Sequence, residues 1–272
     1  MSRPVWFVRL VQAAFPTRFS IAKAARRWPW FGKLVDRHLF AGDDVVYLPK
    51  DNLIPIHQPI AVPEETVLPS EVAAHFVDEA NHLFIMDKCF CREADHCEDF
   101  PIDIGCLFMG EAVHKINPKL GHLATREEAH AHLARAREAG LVHMIGRNRI
   151  DYVWMGVGPY GKLLTICNCC SCCCLWRVLP DLPEEIRGNV RAMPGVTVTV
   201  TDRCVGCGTC ADDVCFVDAI QMVDGRAVIT DACLGCGRCI EICPTHAIEL
   251  SVANGAFVTD VIDQLTPLVD IK

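Results

Sequence analysis

No apolar run in the chain approaches the ~18 uninterrupted residues that a membrane-spanning helix needs, so no segment is a candidate span. The sequence also lacks a P-loop, an H-E-x-x-H pair and a G-x-G-x-x-G on a strand-to-helix turn. Those absences remove the common phosphate-binding, zinc-peptidase and dinucleotide-binding units. The one glycine-rich string, with Gly156, Gly158 and Gly161, is broken by Pro159 and reads as a turn before a strand at 163–166. The opening residues show no apolar run leading to a small-residue cleavage site, so they do not read as a signal peptide. No acid–base pair or substrate pocket can be picked out.

What the chain has is cysteine, eighteen in 272 residues. Such density in a small secreted protein would mean disulfides, but this length supports a core of its own. The expectation is a cytoplasmic, oxygen-avoiding setting in which thiols stay reduced and available to iron. Net charge is −8, yet residues 1–50 hold nine Lys and Arg against three Asp. There Trp6, Phe7, Phe15, Trp28, Trp30 and Phe40 alternate with basic residues. Three readings stay open: packing against the rest of the chain, docking of an acidic redox partner, and peripheral contact with a membrane surface. The acidic body argues against nucleic acid.

Eight cysteines form two runs near the C-terminal end. Cys233, Cys236, Cys239 and Cys243 follow C-x2-C-x2-C-x3-C-P, the run that holds a [4Fe–4S] cubane. Cys204, Cys207, Cys210 and Cys215 repeat it with one inserted residue and Phe216 in place of proline. Three closely spaced cysteines on a tight loop can reach three iron corners. Gly206, Gly208, Gly235 and Gly237 between them allow positive φ and bring backbone N–H groups close to sulfur. Zinc knuckles are the alternative, but zinc has no use for this spacing.

These runs resemble the bacterial-type two-cluster ferredoxins, over residues 196–252. The resemblance implies a pseudo-twofold module with strands at 196–200, 219–223, 227–230 and 247–252. It also implies that each fourth cysteine crosses to the other cluster. One cluster would take Cys204, Cys207, Cys210 and Cys243, and the other Cys233, Cys236, Cys239 and Cys215. The insertion in the first run, carrying Asp212 and Asp213, departs from the family pattern, and its charge is expected to make reduction harder.

Ten further cysteines lie in the middle: Cys89, Cys91, Cys97 and Cys106, then Cys167, Cys169, Cys170, Cys172, Cys173 and Cys174. In an extended segment Cys170, Cys172 and Cys174 would share one face, and Cys167, Cys169 and Cys173 the other. Three accounts compete: one or two additional iron–sulfur clusters, a cluster beside a reactive Cys-x-Cys disulfide with Cys170 and Cys172 as catalytic candidates, or zinc held by Cys89, Cys91, Cys97 and Cys106. Between the two groups, Thr125 and Glu128 form a capping box. Ala129, Leu133 and Ala136 continue that helix and Gly140 stops it, while His130 and His132 read as solvated. A second helix is expected from Ser70 through Val72, Phe76 and Ala80 to Phe84.

C-x-C-R, this helix, C-N-C-C-x-C-C-C and the tandem runs, taken together over residues 85–250, resemble a poorly characterised family of dicluster ferredoxin-type proteins of anaerobic microbes. The resemblance implies redox function without naming a substrate.

The fold class expected is α+β. A basic aromatic segment (1–60) and a helical cysteine-rich domain (61–190) precede a ferredoxin domain (195–252) and a tail (253–272). The function expected is electron transfer, one electron at a time, between two [4Fe–4S] clusters and a further cysteine-bound centre. The alternative is a ferredoxin-linked reductase in which the central site is catalytic. Redox partner proteins are implied in either case.

Overall fold

Short apolar runs, sorted by period-2 alternation onto two faces of one sheet, organise the first 192 residues. A computed structural model describes residues 2–51, 68–252 and 257–272; the boundary placed at residue 60 and the start of the tail at 253 lie outside them. Helices α1 (Val5–Ala14), α2 (Arg18–Arg27) and α3 (Pro29–Val35) come first, Pro29 supplying the pre-set φ at the start of α3. Then follow β1 (Asp44–Tyr47), α4 (Pro69–Glu79), β2 (Leu83–Met86), α5 (Phe90–Ala94), β3 (Leu107–Met109) and β4 (Gly121–Ala124). Next are α6 (Arg126–Glu138), β5 (Val142–Arg147), α7 (Arg149–Met155), β6 (Leu164–Cys169), α8 (Glu184–Arg187) and β7 (Val190–Ala192). The sheet order is β4-β2-β3-β6-β5-β1-β7, antiparallel throughout except where β7 joins β1.

The class is α+β as expected, with a more extensive sheet in this region than the sequence pattern suggests. Strands such as Leu83–Met86 are buried on both faces, so their apolar runs carry no alternation to read. One face carries α4, α6 and a later helix, packed on Leu83, Ile85, Leu107, Ile145 and Ile166. The other carries the N-terminal helices and α7, packed on Phe84, Phe108, Val45 and Tyr47. On β6, Leu164 and Ile166 face the first layer. Cys167 and Cys169 therefore face the second.

Two helix expectations need correction. The helix from Ser70 to Phe84 runs instead over Pro69–Glu79. Pro69 fixes its first turn, the Glu71 carboxylate accepts the Leu68 N–H at 2.8 Å, and Phe84 belongs to β2. In α6 the capping box is present, Thr125 N–H donating to Glu128 and Glu128 N–H to Thr125 Oγ1. His132, however, is only 5% exposed, its Nε2 2.9 Å from the Gly105 carbonyl. His130 is half-buried beside Asp78.

Beyond residue 195, β8 (Val196–Val200) pairs antiparallel with β11 (Ile248–Val252), and β9 (Ile220–Val223) with β10 (Arg226–Ile229). The short helix α9 (Arg238–Glu241) lies inside the second cysteine run. The segment read as a tail carries α10 (Phe257–Leu265), which puts Phe257, Val261, Leu265, Val269 and Ile271 into the core with α4 and the sheet. Among the described residues no helix is long and apolar enough to cross a membrane. Phe15 and Phe40 of the basic N-terminal segment are buried, whereas Trp6, Trp28 and Trp30 remain exposed.

Candidate metal centres

The two tandem runs occupy loops shaped by glycine. Gly206 and Gly235 have φ of 72° and 65°. A Cβ at Gly206 would run into the Gly225 carbonyl, and one at Gly235 would stand 2.7 Å from Val196 Cγ1. Backbone N–H groups reach the sulfurs from Ala219 to Cys215 (3.2 Å), Gly235 to Cys233 (3.4 Å) and Ala247 to Cys243 (3.2 Å). Such donors stabilise thiolate on a cluster and tune it.

The thiols fall into two neighbourhoods. Burial pushes Cys210 up, and Cys243, Cys204 and Cys207 surround it. Cys239 is likewise pushed up by burial, beside Cys236, Cys233 and Cys215. The last cysteine of each run is thus within electrostatic reach of the other run's thiols, and Cys210 also acts on Cys239. Cys207 is exposed, while the second neighbourhood leans on the body of the protein through Phe216 and Leu234. Asp213 takes positive φ (53°) and points into solvent 3.9 Å from Arg177. Water and that guanidinium screen its charge from the nearby thiols.

The ten central cysteines divide differently from the alternation expected of an extended segment. β6 ends at Cys169, and residues 171–173 bend, with the Cys173 N–H donating to Cys170 Sγ at 3.3 Å. The bend moves Cys173 to the side of Cys170 and Cys172 and sends Cys174 back to Cys167 and Cys169. Cys97 Sγ lies 3.4 Å from Cys172 Sγ, which is 3.4 Å from Cys173 Sγ. The four sulfurs of Cys97, Cys170, Cys172 and Cys173 lie within 4.8 Å of one another. A single tetrahedral ion with metal–sulfur bonds of ~2.3 Å wants sulfurs roughly 3.8 Å apart, so this quartet fits one ion. The zinc set of Cys89, Cys91, Cys97 and Cys106 does not form: Cys97 belongs to the quartet, on the turn that ends α5.

The other six thiols, Cys89, Cys91, Cys106, Cys167, Cys169 and Cys174, all line one cavity of about 320 Å³, whose wall also includes Cys170 of the quartet. Cys106 and Cys167 are 3.3 Å apart, and hydrogen bonds join Cys89 to Cys91 and Cys169 to both Cys167 and Cys174. The bond from Cys91 pulls Cys89 down to about 7, against burial and with help from Arg92. Cys169 is pulled well down by Cys167 and Cys174, with Arg238 adding to the effect. Phe7, Phe15, Phe40, Trp154 and Trp176 wall the rest of the cavity.

Two buried arginines hold this region together, and sequence reasoning missed both. Arg92, fully buried, donates to the carbonyls of Pro101 (2.8 Å), Asn168 (2.7 Å) and Ile104. It thereby ties the loop before Cys106 to the end of β6. Arg238, between Cys236 and Cys239, donates from Nη2 to the Cys169 carbonyl at 2.5 Å, while its Nε and Nη1 are buried without a protein partner. Arg92 is the R of C-x-C-R and Arg238 lies in C-G-R-C, so both stood beside motifs already in view. Asn168 joins His132, His143 and the Gly105 carbonyl in a buried network behind β6.

Residues 210–253 match the family described as the LdpA Fe–S cluster-binding domain. The match covers six of the eight tandem cysteines, starting at Cys210 and including Cys215 and the whole second run. No curated protein and no solved structure matches the chain. With the thiols and N–H donors in place, this family match makes the chain an iron–sulfur protein.

Proposed function

We propose that the chain is an electron-transfer protein whose C-terminal module holds two [4Fe–4S] clusters. Cys204, Cys207, Cys210 and Cys243 bind the outer one, and Cys233, Cys236, Cys239 and Cys215 the inner one. Electrons pass singly from the exposed edge at Cys207 through both clusters to the central cysteines. The observation that carries this reading is the pair of glycine-shaped cysteine loops, with backbone N–H groups on their sulfurs, in a segment that matches an iron–sulfur domain. The mutual influence of Cys210 with Cys243 and of Cys239 with Cys215 supports the exchange of each fourth cysteine. The path inward is short in chemical terms. Phe216 follows Cys215 and packs tilted against Tyr47, ring centroids 5.1 Å apart, and the Tyr47 hydroxyl is 3.7 Å from Cys174 Sγ. Redox partners dock near Cys207 and, for acidic partners, at the basic face that exposes Trp6, Trp28 and Trp30.

Iron and acid-labile sulfide per chain on anaerobically purified protein, with EPR of the reduced sample, test the reading. About eight irons in two interacting cubanes are expected from the module alone. Changing Cys207 and Cys236 singly to Ser should alter different EPR components. A module that binds zinc, or a single cubane, overturns it.

A further inference from the structure

We propose that Cys89, Cys91, Cys106, Cys167, Cys169 and Cys174 form one iron–sulfide centre with more than four protein thiolates, separate from the Cys97/Cys170/Cys172/Cys173 quartet. The proposal deepens the electron-transfer reading, and rests on it, by naming where electrons arrive.

Number and geometry come first. A cubane exhausts its protein ligands at four cysteines, and a single tetrahedral ion does the same. Six thiols on one cavity wall exceed either need. They come from the start of α5, the loop before β3, β6 and the bend after it, so no local loop motif explains their meeting. The cavity, at about 320 Å³, holds roughly ten times the ~30 Å³ share of a water molecule, room for an inorganic core larger than one ion. The quartet has no such space, its sulfurs already lying within 4.8 Å of one another. A buried thiolate without a counter-charge is costly. Sulfur-only donor sets select Cu(I), zinc or iron–sulfur clusters, and of these an iron–sulfide core has the several metal corners that six thiols call for.

The independent observation is Arg238. It belongs to the second cysteine run, yet its Nη2 donates to the Cys169 carbonyl, its guanidinium sits 5.3 Å from the Phe216 ring, and Cys236, Cys169 and Cys174 all act on its charge. Two of its nitrogens are buried without a protein acceptor. A buried cation with unspent donors is stabilised by anionic acceptors, and the sulfides and thiolates of clusters on both sides would supply them. Arg238 therefore stands as a shared counter-ion between the inner ferredoxin cluster and the six-thiol centre.

The test compares three variants of the full chain, prepared anaerobically, by iron, zinc and sulfide analysis, Mössbauer spectroscopy and redox-poised EPR. Wild type should carry iron and sulfide clearly above the roughly eight per chain of two cubanes. The pair Cys106→Ser/Cys169→Ser should lose that excess iron and sulfide together, keeping the ferredoxin-type signals and whatever ion the quartet holds. The pair Cys97→Ser/Cys172→Ser should lose about one metal ion per chain and almost no sulfide. Arg238→Gln should lower the potentials of the inner cluster and the six-thiol centre together, leaving the outer cluster nearly unchanged. Iron that stays near eight in wild type, or excess iron that survives the Cys106/Cys169 change, overturns the proposal. So does excess iron that vanishes equally in both cysteine pairs, since that makes the ten thiols one site. Loss of the ferredoxin signals from wild type would instead defeat the electron-transfer reading. A C106S/C169S chain that fails to fold is replaced by Cys91→Ser, read by the same spectra.

Discussion

In residues 196–252 eight thiols come from two short loops, and the pair of loops together is nearly self-sufficient. Glycine turns aim the sulfurs, and neighbouring N–H groups meet them within four residues along the chain. In the central region six thiols come from four places in the chain, brought together by β6, its neighbours and a buried arginine. The first arrangement is written in local spacing. The second exists only when the sheet is complete. The difference means that ligand spacing reveals a cluster site when one loop builds it, and says only that thiols are plentiful when the fold builds it.

The comparison breaks most severely at Arg92. Replacing it by Met leaves three buried carbonyls without donors and should cost about 4 kcal/mol. The central thiols should lose their metal, while ferredoxin-type EPR signals persist in whatever protein remains folded. Chemical denaturation with metal analysis across the transition checks this. Equal loss from both regions would mean the two do not assemble separately.

The converse change is Gly206→Ala. The new methyl meets the Gly225 carbonyl in a backbone conformation that L-residues avoid, a local cost of about 2 kcal/mol. The outer ferredoxin signal should fade, with the central metal content intact; parallel EPR and metal analysis would show it. A variant with both regions empty would contradict the self-sufficiency of the loops.

The smallest effect should leave both regions loaded. Asp43 is buried, accepts from the Arg149 N–H at 2.6 Å and from the Tyr160 hydroxyl, and burial pushes its carboxyl up to about 7. The folded protein therefore binds this proton more tightly than the unfolded chain does. That contribution to stability is complete below about pH 4 and is lost as pH rises through 7. Asp43→Asn should flatten this part of the pH–stability curve without changing metal content. Denaturation midpoints at several pH values between 4 and 8 report the slope, and an unchanged slope would show that the carboxyl titrates normally.

Much of the structure of residues 196–252 was legible. Its four strands are placed within a residue or so of their expected bounds, because Val, Ile and Thr alternate there between glycine and cysteine turns. The α6 capping box was equally readable. His132 was readable too, since it sits at i+3 from Ala129 on the same stripe as Leu133 and Ala136, yet a charged-looking helix suggested a solvated ring. The large sheet was not legible. Its strands are three to six residues long, and β7 pairs with β1 across about 145 residues of chain. Nor was the exchange of Cys173 with Cys174, because alternation holds only while a strand continues, and β6 stops at Cys169. Arg92 and Arg238 were visible as letters, but a surface arginine and a buried one look alike until the carbonyls around them are known.

Residues 257–271 pack into the same core as α4, β2 and β6. Ribosomal synthesis delivers them after all eighteen cysteines. Until then the layer of helices over Leu164 and Ile166 lacks one member, while Cys167 and Cys169, on the opposite face of β6, pack with the N-terminal helices already made. Closure by α10 therefore completes one face of the sheet without gating the thiols: a fusion or tag beside residue 271 should disturb the core around α4 and leave metal loading to the opposite face.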